Sequence, residues 1–146
     1  MSTAPNSDTP HRRLTFANMR VTDLPRSIAF FRAIGFDFDA RFTNDKAACL
    51  VLSDTSYTML LVDDFFRGFT KKQPCDTATH AELLMAFSCG SRAEVDAVHE
   101  KALAAGATPA MPAQDMGFMY LKTFHDLDGH HWEVFFMDPS AEPAEG

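Results

Sequence analysis

Two helix-start signals stand 68 residues apart, at Asp23 and Ser91, and each opens the same order of elements. A strand-like segment precedes each signal. An apolar stripe at helical spacing, a glycine stop and three more strand-like segments follow it. A unit of one sheet and one helix is too small to bury its own apolar face, so a chain that repeats it folds as two modules sharing a core. The expected fold class is therefore α+β, with two βαβββ modules forming curved mixed sheets around a concave cavity, each helix on the outer face.

In the first unit, Ala17, Met19 and Val21 share one face of a strand, and Phe16, Asn18 and Arg20 the other. Asp23 is placed as N-cap, Pro25 fits the first turn, and Ile28, Phe31 and Ile34 recur at helical spacing up to Gly35. Strands are expected at Phe36–Thr43, Ala47–Leu52 and Tyr57–Val62. In the second unit, Glu82–Cys89 reads as a strand and Ser91-x-x-Glu94 as a capping box. Gly106 stops the helix, and strands follow at Ala107–Met111 and Gly117–Phe124. The last strand is entered through Asp128-Gly129, a strong turn pair. After that turn Trp132, Val134 and Phe136 share one face, with His131, Glu133 and Phe135 on the other. The expected boundaries are a disordered tail over 1–11, a module over 12–64, a linker loop over 65–79, a module over 80–139 and a tail over 140–146. The linker carries Phe65, Phe66 and Phe69, so it reads as a cavity lid or a dimer contact.

Charge and composition narrow the function. A net charge of −7 leaves no basic patch for nucleic acid or an anionic membrane. No apolar run reaches the length of a membrane span, and the N-terminus lacks the apolar core of a signal peptide. Three cysteines without close spacing read as reduced thiols in a cytoplasmic protein. Neither a nucleophile elbow nor a phosphate-binding loop nor a dinucleotide fingerprint is present.

Val21-Thr22-Asp23-Leu24-Pro25-Arg26-Ser27-Ile28-Ala29-Phe30-Phe31, Ile34-Gly35-Phe36 and Asp128-Gly129-His130-His131-Trp132-Glu133-Val134 together resemble the vicinal-oxygen-chelate superfamily. That superfamily includes glyoxalase I, bleomycin-resistance proteins and extradiol dioxygenases. The resemblance covers roughly residues 13–138. It implies a homodimer, and a divalent metal held by one side chain from the first and last strand of each module. Carried over by position, those four places are Phe16, one residue within Met59–Leu61, Leu84 and Glu133. Glu133 alone offers an oxygen, and a metal of this class needs several N or O donors. No metal and no other cofactor is therefore expected.

The expected ligand is a small, partly apolar molecule. Its walls would be Phe16, Asn18, Arg20, Tyr57, Met59, Phe118, Tyr120 and Phe135, an apolar set with a few polar groups. Glu133 and His131 are the candidate catalytic residues, Glu133 as a base whose proton affinity burial would raise. Glu133 paired with Arg20 is the non-catalytic reading of the same charge. His125 and His130 read as solvated turn residues, and His80 and His99 as surface residues. Two alternatives stand beside ligand binding: a metal-dependent lyase, isomerase or dioxygenase, and a non-catalytic structural dimer.

Overall fold

A computed structural model describes residues 10–140. The expected tails lie outside the described residues at 1–9 and 141–146. Thr15–Val21 forms β1, and Leu24–Ala33 forms α1. The Asp23 carboxylate accepts the Arg26 N–H at 3.1 Å, a cap that contributes about 1 kcal/mol. Gly35 leaves the helix at φ +110°, where a side chain is strained. The strand expected over Phe36–Thr43 breaks early. Only Asp37–Phe38 pairs, as β2, and Ala40–Phe42 winds into a 3-10 turn. Asp39 explains the break, because its side chain accepts from the Arg41 backbone N–H at 3.0 Å and holds the Arg41 guanidinium at 2.8 Å. A short acid that bonds locally competes with the strand ladder.

Ala47–Val51 (β3) and Ser56–Val62 (β4) complete the first sheet, in the order β1-β4-β3-β2. A short helix, α2, at Asp63–Arg67 then crosses the boundary expected between module and linker, where no helix was expected. Two acids in its first turn and an Asp63–Arg67 ion pair at 2.8 Å favour that turn of helix.

In the second module Leu84–Ser88 is β5 and Arg92–Ala104 is α3. The Ser91 hydroxyl accepts the Glu94 N–H at 3.1 Å, and the Glu94 carboxylate reaches back to the Gly90 N–H at 2.6 Å. Thr108–Pro109 (β6) is shorter than expected, and Gln114–Asp115 (β7) adds a contact the pattern did not show. Met119–His125 (β8) and His131–Met137 (β9) finish a sheet ordered β5-β9-β8-β6, with β7 also on β8. In both sheets the module's first strand runs parallel to its last.

The two modules share one core, built from the helix-bearing faces of both sheets. Phe31 of α1 lies 5.2 Å from the Trp132 ring, and Phe30 lies 6.2 Å from Phe124. Met19, Leu50 and Leu60 of the first sheet belong to the same buried cluster as Phe124, Trp132 and Val134 of the second. The helices are thus between the sheets within one chain, not on the outside as expected. The physical reason is area: each helix stripe and each sheet face is apolar, and stacking the two modules through them removes the most such surface from water. The opposite face of each sheet is left open.

Packing also orders the three thiols. Cys49 is fully buried, and burial pushes its thiol up from the ordinary value. Cys89 is half-buried and pushed up to about 11 by burial. Since the thiolate is the reactive form, brief alkylation of the native protein should label Cys75 well before Cys49 or Cys89. Peptide mass spectrometry reads this directly, and equal labelling of Cys49 would contradict the packing around β3.

Candidate functional site

Register assigns the open faces. Phe16 pairs with Tyr57, Asn18 with Met59 and Arg20 with Leu61, so Phe16, Asn18, Arg20, Tyr57 and Met59 share the open face of the first sheet. Phe16 stacks on Tyr57 with ring centroids 4.9 Å apart, and Phe16 remains 46% exposed. On the second sheet, Leu84 pairs with His131, Ala86 with Glu133 and Ser88 with Phe135. His131, Glu133 and Phe135 therefore share an open face with Leu84. Tyr120 does not join them. It pairs with Phe136 on the helix side, and its hydroxyl donates to Asp96 of α3 at 2.6 Å. Phe118 lies in the turn before β8, where its carbonyl accepts the Asp138 N–H. The eight expected wall residues thus fall on separate surfaces.

Where ends of the two open faces approach each other, the linker closes a groove of about 820 Å³. Asn18 and Arg20 enter it from β1, His125 and His131 from β8 and β9, and Phe66, Thr70 and residues 72–75 and 77–83 from the linker side. Of the expected site residues, Asn18, Arg20 and His131 line this groove, while Phe16, Tyr57, Met59, Glu133 and Phe135 do not.

The turn between β8 and β9 holds the groove together. Asp126 is 8% exposed and works as an acceptor hub. One oxygen takes the backbone N–H groups of Asp128 at 2.9 Å and His130 at 3.0 Å, and the other takes the Trp132 indole N–H at 2.9 Å. Burial pushes the Asp126 carboxyl up from its ordinary value, while His130 and these three donors oppose the rise. Asp128 binds the first module, accepting from the Thr22 backbone at 3.0 Å, the Thr22 hydroxyl at 2.8 Å and the Ser27 hydroxyl at 3.3 Å. His130 places Nε2 2.7 Å from the Arg20 carbonyl. The Thr77 hydroxyl donates to the Asp128 carbonyl and ties the linker to the same turn. Gly129 fits beneath it at φ +84°, where an added Cβ would lie 2.7 Å from the Thr77 carbonyl oxygen. His130 is thus a strap between modules, not a solvated turn residue. His99, also expected at the surface, is half-buried with Nε2 3.0 Å from the Thr123 carbonyl.

The one expected ion pair is not made, and each partner turns elsewhere. Arg20 does not pair with Glu133; its Nη1 lies 2.8 Å from Asp63. Glu133 Oε1 lies 3.5 Å from His131 Nε2, a buried nitrogen with no hydrogen-bond partner. The His125 and His131 rings are 5.7 Å apart, at a cross-strand pair.

The pattern of the Glyoxalase/Bleomycin resistance protein/Dioxygenase superfamily matches residues 13–134. The chain belongs to that superfamily. Solved structures agree on the fold. The hypothetical protein SA1046 from S. aureus is 25% identical, with a TM-score of 0.72 over 84% of this chain and 92% of its own. A glyoxalase/bleomycin resistance protein/dioxygenase family enzyme from Burkholderia phytofirmans PsJN is 17% identical, with a TM-score of 0.71 over 86% of this chain and 98% of its own. The fosfomycin resistance protein FosX from Mesorhizobium loti is 15% identical, with a TM-score of 0.63 over 87% and 93%. No curated protein matches the chain.

Membership raises the question of the superfamily's metal, and the register answers for this chain's donors. Phe16 and Leu84 sit in the first strands of the two modules, Met59 and Leu61 face the same way in the last strand of module one, and Glu133 sits in the last strand of module two. One carboxylate among apolar side chains does not fit a divalent ion. Among the described residues, no group of three or more His, Cys, Asp or Glu side chains is gathered as a metal site. No helix among them is long and apolar enough to cross a membrane.

Proposed function

We propose that the protein binds a small, partly apolar molecule in the linker-walled groove, without a divalent metal, and does so as a homodimer. The carrying observation is the groove itself: its volume of about 820 Å³ lies within the range of drug-sized ligand sites. Its wall combines Phe66, Pro74 and Leu83 with the polar ends of Asn18, Arg20 and His131. Dimerisation is supported by the edges. β1 and β5 each pair on one side only among the described residues, and Phe16 and Leu84 beside those edges are 46% and 54% exposed. Unpaired edges and exposed apolar surface invite a second copy.

A second reading, an enzyme, is favoured by one feature. The unpartnered His131 Nε2, 3.5 Å from Glu133, is placed to exchange a proton with that carboxylate once either side chain shifts.

The readings separate by experiment. Protein purified without chelator should carry metal far below one equivalent, with the Glu133→Gln variant no different. Stoichiometric metal that vanishes in the variant would sink the metal-free reading. A thermal-shift screen tests binding. A ligand at a hundred times its Kd adds about 2.7 kcal/mol, which for a chain of this size raises Tm by about 5–10 °C. Light scattering on the eluting protein should give the mass of two chains.

A further inference from the structure

The linker walls the groove but is barely attached to it. Residues 68–83 run from the end of α2 to the start of β5, and both ends are fixed. Asp63 holds Arg67 and also Arg20 of β1, each at 2.8 Å, and Leu84 enters the second sheet opposite His131. Between those ends the segment bonds to itself. The Asp76 carboxylate accepts the Ala78 N–H at 3.1 Å, and the Asp76 carbonyl accepts the N–H groups of Thr79 at 3.2 Å and His80 at 2.8 Å. The Thr70 hydroxyl accepts the Lys72 N–H at 3.1 Å, and Arg67 Nη1 donates to Gln73 at 3.3 Å. Among the described residues, a single hydrogen bond joins the segment to anything beyond α2. It runs from the Thr77 hydroxyl to the Asp128 carbonyl. Burial agrees. No residue from 68 to 83 is buried, and only Pro74, Cys75 and Thr77 are half-buried. All three line the groove. Thr77 comes down on Gly129, where even a Cβ would be too close.

We propose that residues 68–83 are a gate over the groove, latched by Thr77 on the Asp128 carbonyl, which opens to admit ligand and closes against it. This rests on the groove being the ligand site and adds how that site is entered. A segment whose hydrogen bonds are internal can lift as a unit, because the movement breaks only the latch. Lifting it leaves the core around Trp132 and Phe31 packed, so opening is far more frequent than unfolding. Pro74, Cys75 and Thr77 belong to the groove wall. A ligand that touches them meets them only in the closed state, and so shifts the equilibrium toward closure.

Cys75 reports the opening, because it lies two residues from the latch and is half-buried in the closed strap. Iodoacetamide labelling read by peptide mass spectrometry gives its rate in the native full chain. Thr77→Val keeps the side-chain shape and loses the hydroxyl. It should speed Cys75 labelling about fivefold, the factor expected for one ordinary hydrogen bond. Thr77→Ser should label at the wild-type rate. Low urea should leave the rate unchanged, because urea sensitivity scales with the surface an opening exposes. Nile red, a neutral apolar dye, should fluoresce on binding and slow Cys75 labelling. Circular dichroism checks that both variants fold. Equal rates for Thr77→Val and wild type overturn the latch, and dye binding alongside that result leaves the groove as the site. A rate that climbs with urea assigns the exposure of Cys75 to unfolding and overturns the gate. Bound dye that leaves the Cys75 rate unchanged also overturns it. A latch effect without dye binding overturns the groove as ligand site, and the gate's role with it.

Discussion

Replacing Trp132 by Ala should cost about 3–5 kcal/mol, the range for truncating a buried aromatic. That is a large share of a typical folding free energy of about 5–15 kcal/mol. Trp132 is 0% exposed and sits where the modules meet. Its ring lies 5.2 Å from Phe31 of α1 and 6.0 Å from Phe87 of β5, and it pairs across the sheet with Phe124. Its indole N–H donates to Asp126. Truncation would open a cavity between α1 and the second sheet and strip the Asp126 carboxylate of a donor. Trp132→Phe should lose less, about 1–2 kcal/mol, because most of the apolar area stays buried and only the hydrogen bond goes. Urea denaturation followed by circular dichroism measures both. A loss under about 1 kcal/mol for the Ala variant would mean that the modules do not depend on this contact.

The second large effect is expected at Asp126. In Asp126→Asn, one oxygen can still accept the Asp128 and His130 N–H groups, but the new amide N–H₂ meets the Trp132 indole N–H, donor against donor. Two buried donors facing each other should cost about 2 kcal/mol. The cost should depend on pH with a definite sign. Burial raises the Asp126 pKa in the folded chain, so the folded state holds the proton more tightly than the unfolded state. The stability from that proton is present below the ordinary carboxylate value of about 3.9 and is lost as pH rises through the raised folded value. Asp63, Asp96 and Asp115 run the other way. Their partners lower them, so their contributions are present above the ordinary value and fade as pH falls through the folded one. The carboxylates of all three are more than a third exposed, so these pairs weigh little. The wild-type advantage over Asp126→Asn should therefore be larger near pH 4 than near pH 8. A difference that is flat, or that grows toward alkaline pH, would show that the three donors outweigh burial and that the carboxylate stays ionised.

Much of the fold was legible because it rests on short-range chemistry. The Asp23 and Ser91 caps, the Gly35 and Gly106 stops and the Gly129 turn each follow from backbone geometry within a few residues, and all lie where the pattern placed them. Their equal spacing then implied two modules. The misreadings are also local in origin. Phe36–Thr43 alternates like a strand, but the Asp39 side chain captures Arg41 and turns the chain. Asp63 and Asp64 begin a helix inside a segment whose length suggested only a loop.

The site was less legible, for a different reason. Strand parity correctly grouped Phe16 with Asn18 and Arg20, and His131 with Glu133 and Phe135. It could not say which surfaces meet. Tyr120 alternates as a wall residue would, yet α3 packs over it and Asp96 takes its hydroxyl. Nothing within the turn shows that Asp126 will be buried against Trp132. Arg20 found Asp63, 43 residues away, in place of Glu133.

What the sequence determined by itself is therefore the pair of modules and the two faces of every long strand, since alternation and capping depend only on neighbours along the chain. What the tertiary structure alone decided is which faces are spent on each other. Both helix-bearing faces are apolar, and stacking them into one core around Trp132 and Phe31 buries more surface than two separate cores would. That choice left the other faces open and brought Arg20, His131 and the linker around one groove.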